Sequence, residues 1–251
     1  AEIPNGKLIL EKDAFYFVLF SAEDLAHIHH PGNEKVTVHG HAFRQQFVGA
    51  NPNTSLQAAH AFKDYANYYI GNNPDFWASG VKIYQQVNYS NVYDGIDLAI
   101  YTQHNRRLKY DWIVKPGADA SKIKVRYTGT DDLRIKNAEL HIKLTTGDMA
   151  EEKPYAYQLI NGSHKPVKCA FVLNDDEVSF SFPDGYDTNF PLVIDPTIVF
   201  STYTGATGDN WGYTATYDAS GCMYVGGYVN NDAVGAAYPT TPGAFQTTWG
   251  G

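Results

Sequence analysis

The chain has 251 residues and a net charge of −8, from 19 Lys plus Arg against 27 Asp plus Glu; this balance argues against a nucleic-acid or anionic-membrane surface as the main partner. The longest apolar run, Ala14–Phe20, falls far short of the roughly 20 residues that a membrane-spanning helix needs. A content of 19 Tyr, 13 Phe and 22 Gly with only two Met suits a β-rich extracellular protein better than a helical one.

Lys7–Glu11 and Phe15–Phe20 predict an opening hairpin turned by Glu11-Lys12-Asp13, with the aromatic second strand buried on both faces. A polar segment with His27, His29 and His30 follows, closed by Pro31-Gly32, and Val36–Val48 predicts the next strand. His39 and His41 are two residues apart on it and therefore share a face. Two imidazoles can begin a zinc or copper site. No cysteine or H-E-x-x-H pattern completes one, so the histidines are read as solvent-facing or hydrogen-bonded and no metal or other cofactor is expected.

Gly49-Ala50-Asn51-Pro52-Asn53 is a turn, and Thr54–Asp64, polar and weakly periodic, predicts a surface loop. Tyr65, Tyr68, Tyr69, Phe76 and Trp77 then flank Gly71-Asn72-Asn73-Pro74, with one helical turn expected from Pro74. Exposed, Tyr68, Tyr69, Phe76 and Trp77 make a stacking platform for sugars, whose apolar C–H faces pack on aromatic rings. Buried, the same residues plug a sheet end, which is the reading preferred from sequence. Val81–Tyr89 is an alternating strand with Val81, Ile83, Val87 and Tyr89 on one face.

Asn91–Tyr127 carries the clearest pattern: strands at Asp97–Tyr101, Leu108–Val114 and Ile123–Tyr127, with polar residues at Gln103–Arg106 and Pro116-Gly117 between them. The alternation of Leu108, Tyr110, Trp112 and Val114 with Lys109 and Asp111 has the period of a half-buried strand, and the three together read as an antiparallel meander. Further short strands are expected at Leu133–Lys136, Leu140–Leu144, Ala156–Ile160, Val167–Val172, Val178–Phe182 and Leu192–Ile194. Short strands at regular spacing with hardly a helix predict an all-β chain with an antiparallel β-sandwich-like N-terminal domain. Asp131-Asp132 and Asp175-Asp176-Glu177 have the composition of paired catalytic carboxylates, but turn chemistry explains them without a site. No G-x-S-x-G, P-loop, G-x-G-x-x-G or EF-hand loop is present, and no catalytic residue is expected. Cys169 and Cys222 are read as buried free thiols rather than a bridge.

Composition shifts after Asp195-Pro196: Lys and Arg all but vanish, and Gly, Thr, Tyr and Ala dominate. Ile198–Tyr203, Tyr213–Tyr217 and Cys222–Tyr228 read as strands, and Thr240-Thr241-Pro242-Gly243-Ala244-Phe245 closes a unit of about fifty residues, the length of a propeller blade. The expected division is therefore residues 1–196, an all-β domain, and 197–251, one repeat of a partial array. Because the pattern stops mid-unit at Gly251, the native protein is expected to continue. Any export leader is expected to have been removed.

Ser201–Val229 and YPTTPGAFQ (Tyr238–Gln246) resemble the repeat of the bacterial seven-bladed β-propeller-repeat (SBBP) surface proteins. FVGANPN (Phe47–Asn53), NYYIGNNPDFW (Asn67–Trp77), VYDGIDLAIY (Val92–Tyr101), YDWIVKPGADASKIKVRYTG (Tyr110–Gly129) and PLVIDPTIVFSTY (Pro191–Tyr203) resemble the domain that precedes those repeats. The chain departs from the usual repeat at Thr204-Gly205-Ala206, where a Gly-Gly pair is common, and at Tyr238 in place of Phe. The resemblance implies a non-enzymatic module of a large exported protein, extracellular or at the cell surface, with roles in adhesion, scaffolding or capping of the array. Such proteins come from gliding or polymer-degrading bacteria, and some use type nine secretion. The implied partners are further repeats of the same chain, surface glycans, or other surface and secretion proteins. The competing expectation is a carbohydrate-binding module or appendage of a carbohydrate-active enzyme.

Overall fold

A computed structural model describes residues 2–3, 5–22, 24–25, 37–102, 108–200, 210–217 and 223–229, with backbone alone for residues 2, 199, 200, 210–217 and 223–229. The chain divides into two units, Ala1–Phe200 and Ser201–Gly251. The histidines at 27, 29 and 30, the expected turn at 103–106, Cys222 and the motif at 240–245 lie outside the described residues.

The first unit is an antiparallel, all-β structure of three sheets. Sheet A runs β1 (Glu2–Ile3), β2 (Gly6–Leu10), β3 (Ala14–Phe20), β4 (Gly40–Phe47), β9 (Lys124–Thr128), β16 (Glu177–Ser181), β15 (Ala170–Asn174). Sheet B runs β14 (Ser163–Val167), β13 (Tyr155–Ile160), β17 (Leu192–Asp195), β8 (Leu108–Val114), β7 (Ile96–Thr102), β6 (Ala78–Tyr93), β5 (Ser55–Tyr68). Sheet C runs β10 (Asp132–Lys136), β11 (Glu139–Lys143), β12 (Met149–Glu151), β18 (Ile198–Phe200). In the second unit β19 (Asn210–Tyr217) pairs antiparallel with β20 (Met223–Val229), with a register shift between Gly212 and Thr214.

Sheets A and B meet as a sandwich because each strand sends alternate side chains inward. On β8, Leu108, Tyr110, Trp112 and Val114 are buried, while Lys109, Asp111 and Ile113 turn to the outer face. Rings from both sheets interlock edge-to-face at the centre: Phe15 on Phe47 at 5.1 Å and Phe47 on Trp112 at 5.3 Å. Such pairs add about 0.5–1.5 kcal/mol each beyond the area they bury. Leu140, Ile142, Met149 and Ile198 of sheet C join the same core.

The expected meander holds for two of its three strands. β7 and β8 pair, as do β6 and β7, but after Pro116-Gly117 the chain leaves sheet B and β9 inserts between β4 and β16 of sheet A. Val167–Val172 is likewise two strands in different sheets, β14 and β15. Thr54–Asp64 is not a loop; it forms most of β5. β3 alternates buried with half-buried residues instead of burying both faces. Ile198–Phe200, read above as part of the repeat, pairs with β12 of the first unit.

Candidate functional site

β5 and β6, of 14 and 16 residues, are the longest strands described, and their distal halves form an arm whose side chains are exposed on both faces. Gly80, at φ +67°, and His60, at φ +54°, lie where the arm departs from regular strand geometry, and its pairing register shifts between Ala61 and Tyr65 and between Ala66 and Tyr68. At the tip, Asn73 caps a 3-10 turn, Pro74–Phe76, by accepting from the Asp75 N–H at 3.1 Å. The Trp77 indole N–H donates to the Gly71 carbonyl at 3.2 Å, and its ring meets Tyr69 edge-on at 5.4 Å. Tyr69 Oη lies 3.2 Å from Ser79 Oγ, and the Gly80 N–H donates to Asn67 Oδ1 at 2.9 Å.

These bonds hold the aromatic residues in place without covering them. Tyr68 is 48% exposed, Tyr69 61%, Phe76 71% and Trp77 45%. The sequence reading preferred burial of these four at a sheet end; that reading fails because the turn at 71–74 closes the arm well beyond the sandwich. What the arrangement offers chemically is pre-positioned ring surface beside the amides of Asn67, Asn72 and Asn73. That combination suits a ligand with alternating apolar and hydroxylated faces.

A second cluster lies on the outer face of sheet B. Lys109 Nζ contacts Asp195 Oδ2 at 2.7 Å, and the Tyr101 hydroxyl donates to the Asp111 carboxylate at 3.1 Å. Burial, then the Asp195 charge, pushes the Asp111 carboxyl up to about 6 despite the hydrogen bond from Tyr101. Asp195 Oδ1, beside this cluster, is buried without a hydrogen-bond partner.

The family described as a domain of unknown function, DUF7948, matches residues 1–197. The chain belongs to that family. No curated protein and no solved structure matches it.

Within the DUF7948 domain, the most deeply placed polar group is Glu151, fully buried at the meeting of all three sheets. It accepts from the Tyr110 hydroxyl of sheet B at 2.6 Å, the Tyr127 hydroxyl of sheet A at 2.6 Å, and Gln45 Nε2 of sheet A at 3.0 Å. Burial raises the Glu151 carboxyl above its ordinary range, against the opposing pull of the three donors. The network is closed: Gln45 also donates to Tyr127 Oη, and no solvent reaches the carboxylate. It joins the sheets and presents no reacting atom to a substrate.

His39 and His41 do not converge. His39 Nδ1 sits 2.7 Å from Asp24 Oδ2, and the His39 main-chain N–H, with the ring behind it, holds the Asp24 carboxyl below its usual range. His41 Nε2 donates to the Gly129 carbonyl at 2.6 Å, while Nδ1 faces the Thr145 hydroxyl at 2.7 Å and accepts from the Thr145 N–H at 3.2 Å. Both ring nitrogens are thus occupied in the neutral tautomer. Among the described residues no three His, Cys, Asp or Glu side chains group to hold a metal. Asp175-Asp176 is a turn with Asp175 at φ +54°, and Glu177 pairs with Lys124 and Arg126 across the sheet. Among the described residues no helix is long and apolar enough to cross a membrane.

Two features were missed by sequence reasoning. A cleft of about 880 Å³ opens beside the β13–β14 hairpin, walled by Tyr155, Ile160, Val167, Cys169 and Tyr186; its lining comes from strands of sheets A and B and from turns, and shares no motif. Glu151 carried one usable signal, its spacing of two from the buried Met149.

Proposed function

We propose that the chain is the N-terminal part of an exported bacterial surface protein of the SBBP kind, acting without catalysis as an adhesion and scaffolding module at the head of a propeller-repeat array. The second unit, Ser201–Gly251, supplies its first propeller-type repeat, and further repeats of the same chain are its structural partners. The observation that carries the adhesive part of this reading is the braced, exposed aromatic tip of the β5–β6 arm. Exposed aromatic clusters of this size on a folded domain mark contact surfaces. Surface glycans fit the tip best, since rings supply stacking and the neighbouring Asn side chains supply hydrogen bonds to hydroxyls.

The catalytic alternative is an appendage or domain of a carbohydrate-active enzyme. In the acidic pair nearest to such a role, Asp195 is engaged by Lys109 at 2.7 Å and Asp111 by the Tyr101 hydroxyl at 3.1 Å, so both carboxyls are tied into the sheet's own side chains, whereas glycoside hydrolysis needs two carboxyls open to a sugar between them. The non-enzymatic reading is therefore favoured. Binding of the 251-residue chain to a glycan array and to insoluble bacterial polysaccharide tests it. Retention that is lost in Trp77→Ala and Tyr68→Ala, with the thermal melt unchanged, is the expected result; absence of any glycan retention by the wild type overturns it.

A further inference from the structure

The Lys109–Asp195 contact differs from the other ion pairs of the first unit. Nζ lies 2.7 Å from Oδ2, with the two side chains only 14% and 18% exposed. Lys168 and Asp184 are equally close, at 2.7 Å, but 74% and 61% exposed. Among the described residues no other ion pair has both partners so deeply covered.

Strand register brings a third group to this pair. Ile194 stands opposite Trp112, and Thr197 bridges to Lys109. The same register sets Asp195 opposite Asp111, with Lys109 next along the same face of β8. On that face Tyr101 stands opposite Lys109 and Tyr155 opposite Asp195. Two carboxylates placed opposite one another repel, and Asp195 Oδ1 is buried without a hydrogen-bond partner. An ion pair alone leaves both costs in place.

We propose that Lys109 and Asp195 are the precursors of an intramolecular isopeptide bond, Nζ to Cγ, which forms in the folded chain with release of one water. A proton passing from Nζ to the Asp195 carboxylate turns the ion pair into an amine and an acid. The amine lone pair attacks Cγ, Nζ gives up a second proton, and the Cγ–OH bond breaks as that oxygen leaves with both protons as water. Charge balances without an oxidant or co-reactant, since one cation and one anion become a neutral amide. Asp111 stands across from the reacting carbon as proton carrier, and a carboxyl titrating at about 6 can take and return a proton near neutral pH. It is regenerated, so it governs the rate of the step rather than its end point.

Two effects drive the reaction. The fold holds amine and acid in contact, which replaces an encounter in solution. Burial also removes the hydration that keeps free ions apart in water, so a neutral amide relieves the desolvation cost of the pair. The bond would close the chain between positions 86 residues apart and pass tension from β17 straight to β8. That mechanical consequence rests on the adhesive reading; the bond itself does not.

Intact-mass measurement of the denatured full chain, after the folded protein has stood at neutral pH, tests it. The wild type is expected one water lighter than its sequence mass, and its tryptic digest should contain a branched peptide joining Lys109 to Asp195. Lys109→Arg keeps the positive charge but has no amine to react. It should show the full sequence mass and a cooperative melt about 10 °C lower, because a cross-link closing a long loop restricts the unfolded chain. A wild type at full sequence mass, or a loss of water that persists in Lys109→Arg, overturns the proposal. Neither result bears on glycan retention through Trp77, so the bond and the adhesive reading fail separately.

Discussion

The Tyr110 hydroxyl donates a 2.6 Å hydrogen bond to Glu151, joining the central strand of sheet B to a three-residue strand of sheet C inside the core. Removing the acceptor leaves Tyr110, Tyr127 and Gln45 with buried, unmatched donors, each costing about 1–3 kcal/mol. Glu151→Ala is expected to lose about 3–5 kcal/mol, with a cavity adding to the loss. Tyr127→Phe removes the bond given to Glu151 and the one accepted from Gln45 but leaves the carboxylate its other two donors, and should lose about 1–3 kcal/mol. Urea unfolding of the three proteins checks the order; a Glu151→Ala loss no larger than that of Tyr127→Phe would show that the carboxylate is not the junction described.

Asp111 predicts how stability depends on pH. Its folded carboxyl titrates at about 6, against an ordinary 3.8. Between those values the folded chain holds a proton that the unfolded chain releases, so this group's contribution is fully present below 3.8 and is lost as pH rises through about 6. Asp111→Asn removes the charge, as protonation does, and keeps a carbonyl that can accept from the Tyr101 hydroxyl. The variant should match the wild type near pH 4 and exceed it by about 1 kcal/mol near pH 8. Urea midpoints across that range give the answer, and a wild-type curve that rises between pH 4 and pH 6 with no change in Asp111→Asn contradicts it.

How much of this was legible depended on whether a strand had one wet face. β8 was read correctly because its sandwich face buries Leu108, Tyr110, Trp112 and Val114 and its other face does not. β5 was missed because both of its faces are wet, which erases the alternation that a core imposes. Alternation also says nothing about which sheet receives a strand: β9 has the same pattern in sheet A as it would have had in sheet B. β12 is three residues long and sits among turn residues, too short for any period to show. At the arm tip the residues were identified but their exposure was not, since aromatic residues near a turn suit a core plug and a platform equally.

Gly95 ties the β6–β7 hairpin to the crossover that carries the chain out of sheet B. It sits at φ +73°, its carbonyl accepts from the Lys115 N–H at 2.9 Å, and a Cβ added to it would lie 2.8 Å from the Ala118 side chain. Strain and overlap act together in Gly95→Ala, which should cost about 1–3 kcal/mol. Gly162, at φ +75° with open space around it, provides the comparison, as only the backbone strain applies there. A calorimetric melt in which the two substitutions cost the same would remove the Ala118 contact from the account.

The histidines predict the response to metal removal. A metal bound only to the folded chain adds its binding free energy to stability, so chelation lowers the melting temperature of a protein that depends on one. In His41 the Nε2 proton is given to Gly129 and the Nδ1 lone pair faces Thr145, which leaves the ring no free electron pair for an ion without breaking a bond that holds β4 to the 129–145 region. EDTA is therefore expected to leave the melt unchanged, while His41→Ala, by releasing both partners, should cost about 1–2 kcal/mol with or without chelator. A melting temperature that falls with EDTA in the wild type and not in His41→Ala would mean that the ring serves an ion and that these two hydrogen bonds are not its resting state.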